Sequence, residues 1–488
     1  MPPLQYKPSP RRLSGNAPAP PGDSGDGDSH SGLWGAVAAL LLVGVVVLGI
    51  RIYNKSQPPP GLETADAGEA DAASFAPAKR LPPRCSAVSK DAFVIGEPSK
   101  MPPRNLDADA AVDDEEEFDE LAPFAVELGR GAAFDGGFAV GALRDGEGGS
   151  IAMVATLGAD GSGGKLVRLG RSRGDFDAPT VVGYKGSVLA AMLEPHAGGR
   201  AIRVARVKNG EVTWGPEFSE GRDESLAVDL ASSGSHAVLV WDDVTKDGKR
   251  TMVLLSTFDP ETMKSNDEPR PVSPPKQDAE SPRVVARPGG YWLVYAVVGD
   301  AKKGKDEDTG SDGETISPRW LEVLPLDETG TPVSLPRVVT PRDGHALAFD
   351  VEPSDDGGLL LAYRDDDTPS GSSGGKVLSL TVRLSGAAEP RLMAEETASS
   401  GVPDLLPGWL SLSSLSGATR LAPMSEKGEL LGELRAEPEL GNGEVLAATR
   451  AALLVARPSG KAMKLSVMRC APDEVLPDAG VEAGIAPP

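Results

Sequence analysis

Aromatic residues are scarce, 5% of 488, and basic residues are outnumbered, with 49 Lys and Arg against 72 Asp and Glu. The formal charge of −23 excludes general nucleic-acid binding, because backbone phosphates require a surplus of Lys and Arg. Cysteine and histidine are also sparse, two and four residues. That is too few for a Cys/His zinc centre, which takes about four ligands. No metal site and no cofactor is expected. Turn formers are abundant instead: 58 Gly and 44 Pro. They argue against one long helical bundle and for many turns or disordered ends. The length fits about three domains or one large repeat fold.

Residues 1–32 are rich in Pro, Gly, Ser and Asp and hold little to bury, so a disordered tail is expected. Leu33 to Ile50 then run without a charge. As a helix this run spans roughly 27 Å, close to the hydrocarbon thickness of a bilayer. Trp34 and Tyr53 stand where interfacial aromatics belong. A cleaved signal peptide would carry a short basic region before the run and a small-residue site after it. Here the long, partly acidic tail precedes it, and Arg51 and Lys55 follow. The expectation is an uncleaved transmembrane helix over 33–53, a flexible linker over 54–84 and a disordered tail over 473–488.

Lys7, Arg11 and Arg12 precede the span, against Arg51 and Lys55 after it, a margin of one residue for an inside N-terminus. Cys85 and Cys470 bracket the remaining chain. As a disulfide staple they place it in an oxidising compartment; two buried free thiols are the alternative. The expected location is the bacterial inner membrane, with the C-terminal domain periplasmic.

From about Phe124 onward, short apolar runs alternate with Gly, Asp and Pro turns, a strand pattern. A turn ending in Gly, followed by a strand, recurs at Gly136-Gly137-Phe138, Gly186-Ser187-Val188, Gly234-Ser235-His236, Gly289-Gly290-Tyr291, Gly357-Gly358-Leu359 and Gly408-Trp409-Leu410. Arg450-Ala451-Ala452 is a last instance without the Gly. A further strand follows each, for example Ile151 to Thr156 or Trp320 to Leu326. Fourth strands are read at Val333 to Val339 and Leu430 to Leu434, and first strands at Leu226 to Asp229 and Arg283 to Ala286. Four strands in roughly fifty residues is the period of a β-propeller blade.

Seven units fit, the last ending near Cys470 after three strands. Ala92 to Gly96 can supply the missing strand, which would bring Cys85 near Cys470. The expected fold is therefore all-β: a seven-bladed β-propeller over 85–472 with N-terminal strand closure, carrying an acidic loop at 105–120. Eight blades or paired β-sandwiches also accommodate the pattern.

The strings Gly-Gly-Tyr-Trp-Leu-Val-Tyr (289–295) and Val-Leu-Val-Trp-Asp-Asp (238–243) resemble repeats of membrane-anchored β-propeller proteins from high-GC, myxobacteria-like bacteria. The resemblance covers about residues 85–472, without the regular Trp-Asp of WD40 blades or the paired glycines of kelch. It implies a fold and no activity.

Motifs of chemistry are weak. Gly371-Ser372-Ser373-Gly374-Gly375 matches a hydrolase elbow in spacing but lies in a Ser/Gly-rich loop. Gly163-Gly164-Lys165-Leu166 lacks the first Gly and the Ser/Thr of a phosphate loop. Asp308 to Gly313 resembles a calcium loop, but Arg319 stands where a bidentate Glu is needed. Ser354-Asp355-Asp356-Gly357-Gly358 partly matches the Asp-box turn of sialidase-like propellers. Asp365-Asp366-Asp367 and Trp241-Asp242-Asp243 follow second strands and read as exposed turns, with paired carboxylates for glycoside hydrolysis as the alternative. His196, His236 and His345 are isolated. No catalytic residue is assigned.

The leading expectation is a non-enzymatic, membrane-tethered module that binds a protein, peptide or glycan of the cell envelope. The alternative is an extracytoplasmic, glycosidase-like hydrolase using carboxylates at the channel mouth. Convergent carboxylates or an arginine cluster there would distinguish the enzyme.

Overall fold

The computed structural model describes residues 84–471 apart from Lys90, 97–125, 145–148, 173–176, 197–198, 222–225, 301–316, 368–373, 397–399, 415–417 and 461. The expected tails, the 33–53 span, nearly all of the linker, the acidic loop, the 308–313 motif and the first three residues of the 371–375 motif lie outside the described residues. No described helix is long and apolar enough to cross a membrane.

The described chain forms seven antiparallel sheets, each starting from one strand at the ring's centre and stepping outward. Those innermost strands are Val126–Phe134, Thr180–Tyr184, Val228–Ser233, Asp278–Arg287, Ala346–Pro353, Ser400–Leu406 and Glu444–Ala448, taken as blades 1 to 7. The expected seven-bladed propeller is the fold found.

The second strands explain the recurring Gly. Each follows a tight hairpin turn. In blades 1 and 4 it starts at Gly137 and Gly290, with φ of 156° and 150°. A Cβ on Gly137 would sit 1.8 Å from the Leu157 carbonyl oxygen of the third strand, and one on Gly290 would sit 2.1 Å from that of Leu326. Only a residue without Cβ fits there.

The apolar run after the Gly serves both faces of the sheet. In His236–Val244, Ala237, Leu239 and Trp241 pack toward blade 2, whereas Val238 and Val240 pack toward blade 4. This is the two-residue alternation of a strand buried on both sides. The described core divides into seven clusters, one at each interface between neighbouring blades, including the one between blades 7 and 1. Tyr291 and Trp292 add polar links in opposite directions. The Tyr291 hydroxyl donates to the His236 carbonyl of blade 3 at 2.8 Å, and the Trp292 indole donates to the Gly357 carbonyl of blade 5 at 3.1 Å.

The outer strands depart from the sequence reading. Val333 to Val339 contributes only Arg337–Val338, and Leu430 makes a single bridge to Met424 while the strand forms at Arg435–Ala436. An outermost strand has one apolar neighbour at most, so little burial extends its pairing. In blade 3 the first strand begins at Val228 rather than Leu226.

Blade 7 has three strands of its own, ending in Ala462–Cys470. The N-terminal segment completes it in two pieces. Cys85–Ala87 pairs with Met468–Cys470, and Phe93–Ile95 pairs with Met463–Leu465. Ile95 is fully buried in the cluster shared with Phe138 and Val140 of blade 1. Cys85 and Cys470 form a disulfide across the register. The sequence reading anticipated Phe93–Ile95 and the cysteine pair, but not the Cys85–Ala87 strand.

A second clasp adjoins the disulfide. Arg84 is buried; its guanidinium donates to the Leu421 and Glu433 carbonyls of blade 6 at 2.7 Å each, and its backbone N–H donates to the Glu437 carboxylate at 3.0 Å. Glu437 is also fully buried and pairs with Arg84 and Arg435.

Two expectations follow for the oxidised full-length protein in thermal unfolding. Cys85→Ser lowers its stability by up to roughly 5–6 kcal/mol, the chain-entropy figure for so long a loop; an unchanged transition temperature would show that the disulfide does not hold the ring. Arg84→Ala costs about 3–5 kcal/mol, because it strips a buried carboxylate of a partner.

Candidate active site in the axial channel

The innermost strands are short and largely apolar, but six of the seven carry a charge toward the axis: Arg130, Asp229, Arg283, Asp350, Asp404 and Glu444. They lie close enough to act on one another electrostatically. The ion pair of Arg130 with Asp350, at 2.9 Å, gives the scale. It joins blade 1 to blade 5, which are not neighbours in a ring of seven, so it spans the axis. The second Asp350 oxygen accepts from the Leu405 N–H of blade 6 at 2.8 Å. Asp229 accepts from the Val284 N–H of blade 4 at 2.8 Å.

Both arginines sit where strand pairing slips. The register shifts between Leu128 and Gly131 around Arg130, and between Glu280 and Arg283 in blade 4. A bulge of this kind re-aims a side chain. Glu352 lies two residues beyond Asp350, about 7 Å along the strand and on the same face. It makes no hydrogen bond or ion pair with a described residue, and the same holds for Asp404 and Glu444.

Burial dominates the electrostatics. It pushes the Glu352 carboxyl up to about 8, with Asp350 adding to the rise and Arg130 opposing it. Burial likewise holds Asp404 well above the carboxylate range, assisted by Asp350 and Glu444 and opposed by Arg130 and Arg283. Glu444 is raised by burial alone. Asp229 is raised by burial against the pull of Arg283 and Arg130. For Arg130, burial works against the charge, but the carboxylates of Asp350, Asp229, Glu352 and Asp404 outweigh it and raise its pKa. The channel thus holds an ion-paired carboxylate, Asp350, beside Glu352, whose carboxyl keeps its proton near neutrality. No group of three or more His, Cys, Asp or Glu among the described residues is placed to hold a metal ion.

The residues singled out from sequence lie elsewhere. Asp242, Asp243 and Asp366 are buried within second strands, which corrects the reading of exposed turns; Asp367 alone of these is exposed. The reason is capture of backbone N–H groups at the start of the neighbouring first strand and, for Asp242, from the next blade as well. Asp242 accepts from the N–H groups of Ala227 and Ser281, both at 2.6 Å, and Asp365 from that of His345 at 2.7 Å. Asp366 is held by Arg364 at 2.7 Å.

His345 Nδ1 meets the Asp366 carbonyl at 2.9 Å, and His236 Nδ1 meets the Ser235 hydroxyl at 3.0 Å. His196 ends a second strand. Ser354 to Gly358 forms the hairpin turn of blade 5, tied by Asp356 to Ser354, Gly358 and Arg383. Lys165, with Gly163, lines a cavity of about 180 Å³ between blades 1 and 2 that contains none of the channel charges.

The sequence reading missed the channel. Its signal was a charge set amid apolar residues in the first strands, as in Val228-Asp229-Leu230 or Pro403-Asp404-Leu405.

No protein-family model matches this chain, and no curated protein matches it in sequence. Several solved structures resemble it in part. The β-propeller domain of the Trilobed protease from Pyrococcus furiosus is 9% identical with a TM-score of 0.43. An ulvan lyase is 12% identical with a TM-score of 0.45, and an α-L-arabinofuranosidase from Fusarium graminearum is 12% identical with a TM-score of 0.38. Each likeness covers 70% of this chain and 93% of the other. The sheet topology defines the class: the protein is a seven-bladed β-propeller closed by its N-terminal strands.

The raised Glu352 carboxyl has a consequence for stability. Its proton is held to about pH 8 in the folded state and released near 4.3 in the unfolded chain. The folded state therefore binds more protons in between, and stability falls as pH rises through that window. Melting temperatures measured from pH 4.5 to 8.5 are expected to decline, and Glu352→Gln is expected to flatten the decline. An unchanged slope in the variant would remove Glu352 as its source.

Proposed function

We propose that the protein is a glycoside hydrolase whose reaction takes place in the axial channel. The supporting observation is the pairing there of a protonated acid, Glu352, with carboxylates and guanidiniums converging from five other blades. Glycosidic cleavage needs one carboxyl that gives a proton and another that stays ionised, with environments that push the two apart.

Glu352 is the proton donor in this reading. Its proton goes to the glycosidic oxygen as the bond to the anomeric carbon breaks. Asp229 spends one oxygen on the Val284 N–H and leaves the other to take a proton from the attacking water. Arg130, anchored on Asp350, keeps positive charge over the site and holds the two sides of the channel together. The convergence of these groups favours the hydrolase over the non-enzymatic binding module placed first from sequence.

The setting we propose is the outer side of a membrane, with the 33–53 segment as tether and a cell-envelope glycan as substrate. The Cys85–Cys470 disulfide supports an oxidising compartment.

The test is release of reducing ends by the full-length protein from a panel of neutral and acidic oligosaccharides between pH 4 and 9. Turnover is expected to fall on the alkaline side near pH 8, as Glu352 loses its proton. Glu352→Gln is expected to reduce kcat by about 10²–10⁴-fold, the usual share of a general acid, with the fold intact by circular dichroism. If no glycan is cleaved while some are bound, the hydrolase gives way to the binding module.

A further inference from the structure

We propose that the channel accepts uronate-containing saccharides and that Arg283 receives the substrate carboxylate. The cleavage of such a sugar rests on the hydrolytic reading above; its recognition rests on separate observations.

Arg283 differs from three other arginines of this fold. Arg84 is bound to Glu437, Arg130 to Asp350 and Arg364 to Asp366. Arg283 makes no hydrogen bond or ion pair with a described residue. It feels Asp229 of blade 3 and, across the axis, Asp404 of blade 6. Arg283 is half-buried, so its guanidinium is open to a ligand, and a planar carboxylate is the group that fits its donor fork with two parallel bonds.

Its placement is built. The backbone is pinned on both sides of Arg283 by carboxylates of blade 3. Ser281 N–H donates to Asp242 at 2.6 Å, and Val284 N–H donates to Asp229 at 2.8 Å. Between these clamps the strand bulges, and Ser281 takes a left-handed φ of 54°, a strained conformation for a residue with a side chain. Glu280, on the other side of the bulge, is drawn away to Arg319 at 2.8 Å. The bulge thus separates Arg283 from the nearest acid on its own strand and fixes it toward the channel.

The surrounding groups select a hydroxyl-rich ligand. Glu352, Asp404 and Glu444 are without hydrogen-bond partners among the described residues, and sugar hydroxyls both donate to and accept from carboxyl groups. A neutral sugar would satisfy these three and leave Arg283 alone; a uronate satisfies all four.

The experiment compares oligosaccharides of galacturonic and glucuronic acid with the same chains reduced at the carboxyl group. Binding to the full-length protein is followed by calorimetry, and cleavage by reducing ends. Wild type is expected to bind the uronate form roughly 10- to 100-fold more tightly than its carboxyl-reduced form, the worth of a hydrogen-bonded ion contact. Arg283→Ala should abolish that preference, and Arg283→Lys should restore it in part, because Lys keeps the charge without the fork. The ligand comparison on wild type requires no variant to fold.

Equal affinity for both forms, no binding of any uronate, or a preference that survives in Arg283→Ala would overturn the proposal even if neutral glycans are cleaved. A preference lost in Arg283→Ala, without cleavage by wild type, would uphold the recognition and end the hydrolytic reading.

Discussion

A ring of sheets depends on the contact between its last member and its first, because every blade hides its two faces only against neighbours. Here that contact is made by an N-terminal segment laid as two short strands along Ala462–Cys470. Ile95 carries the apolar share of the closure and enters the same cluster as Phe138 and Val140 of blade 1. Arg84 and Glu437 carry the polar share against blade 6, and Cys85 with Cys470 the covalent one. Without this pairing, two apolar faces of the kind seen in Val238 and Leu239 would stand open to water.

Polar groups between blades do a different job from the apolar clusters. Apolar contacts set the spacing of the blades but tolerate sliding. Asp229, Asp242 and Asp350 each accept a backbone N–H from the next blade, and a directed bond of this kind fixes the register between sheets. Asp229 and Asp350 also stand beside the channel, so the geometry that locks neighbouring blades also locates the arginines. Scaffold and site share their atoms here, and a change at Asp229 or Asp350 would move both.

Much of the fold was legible because the hairpins impose local rules. Gly137 and Gly290 are required by a carbonyl oxygen in the way of any Cβ, and the apolar runs after them by burial on both faces; both leave marks in consecutive residues. The outer strands left none, since Arg337–Val338 and Arg435–Ala436 are two residues long and partly exposed. The Asp242 carboxylate was visible but misplaced, because its partners are distant in sequence: Ala227 in its own blade and Ser281 on the next, about forty residues away. The channel was hidden for a similar reason. Which face of a first strand meets the axis depends on bulges such as that at Glu280 to Arg283, and alternation counted along the sequence loses its phase there.

The entry and exit of the ring are adjacent: the Ala471 N–H donates to the Arg84 carbonyl at 3.0 Å. Cys85 is the next residue inward from Arg84. Tension arriving along the preceding 83 residues would meet a covalent cross-link one residue into the fold and pass to Cys470. The load would enter blade 7 through the Ala462–Cys470 strand, and the Cys85–Ala87 strand could not be peeled from its end. A pull on the leading segment would thus reach the ring through a covalent bond rather than through strand pairing alone.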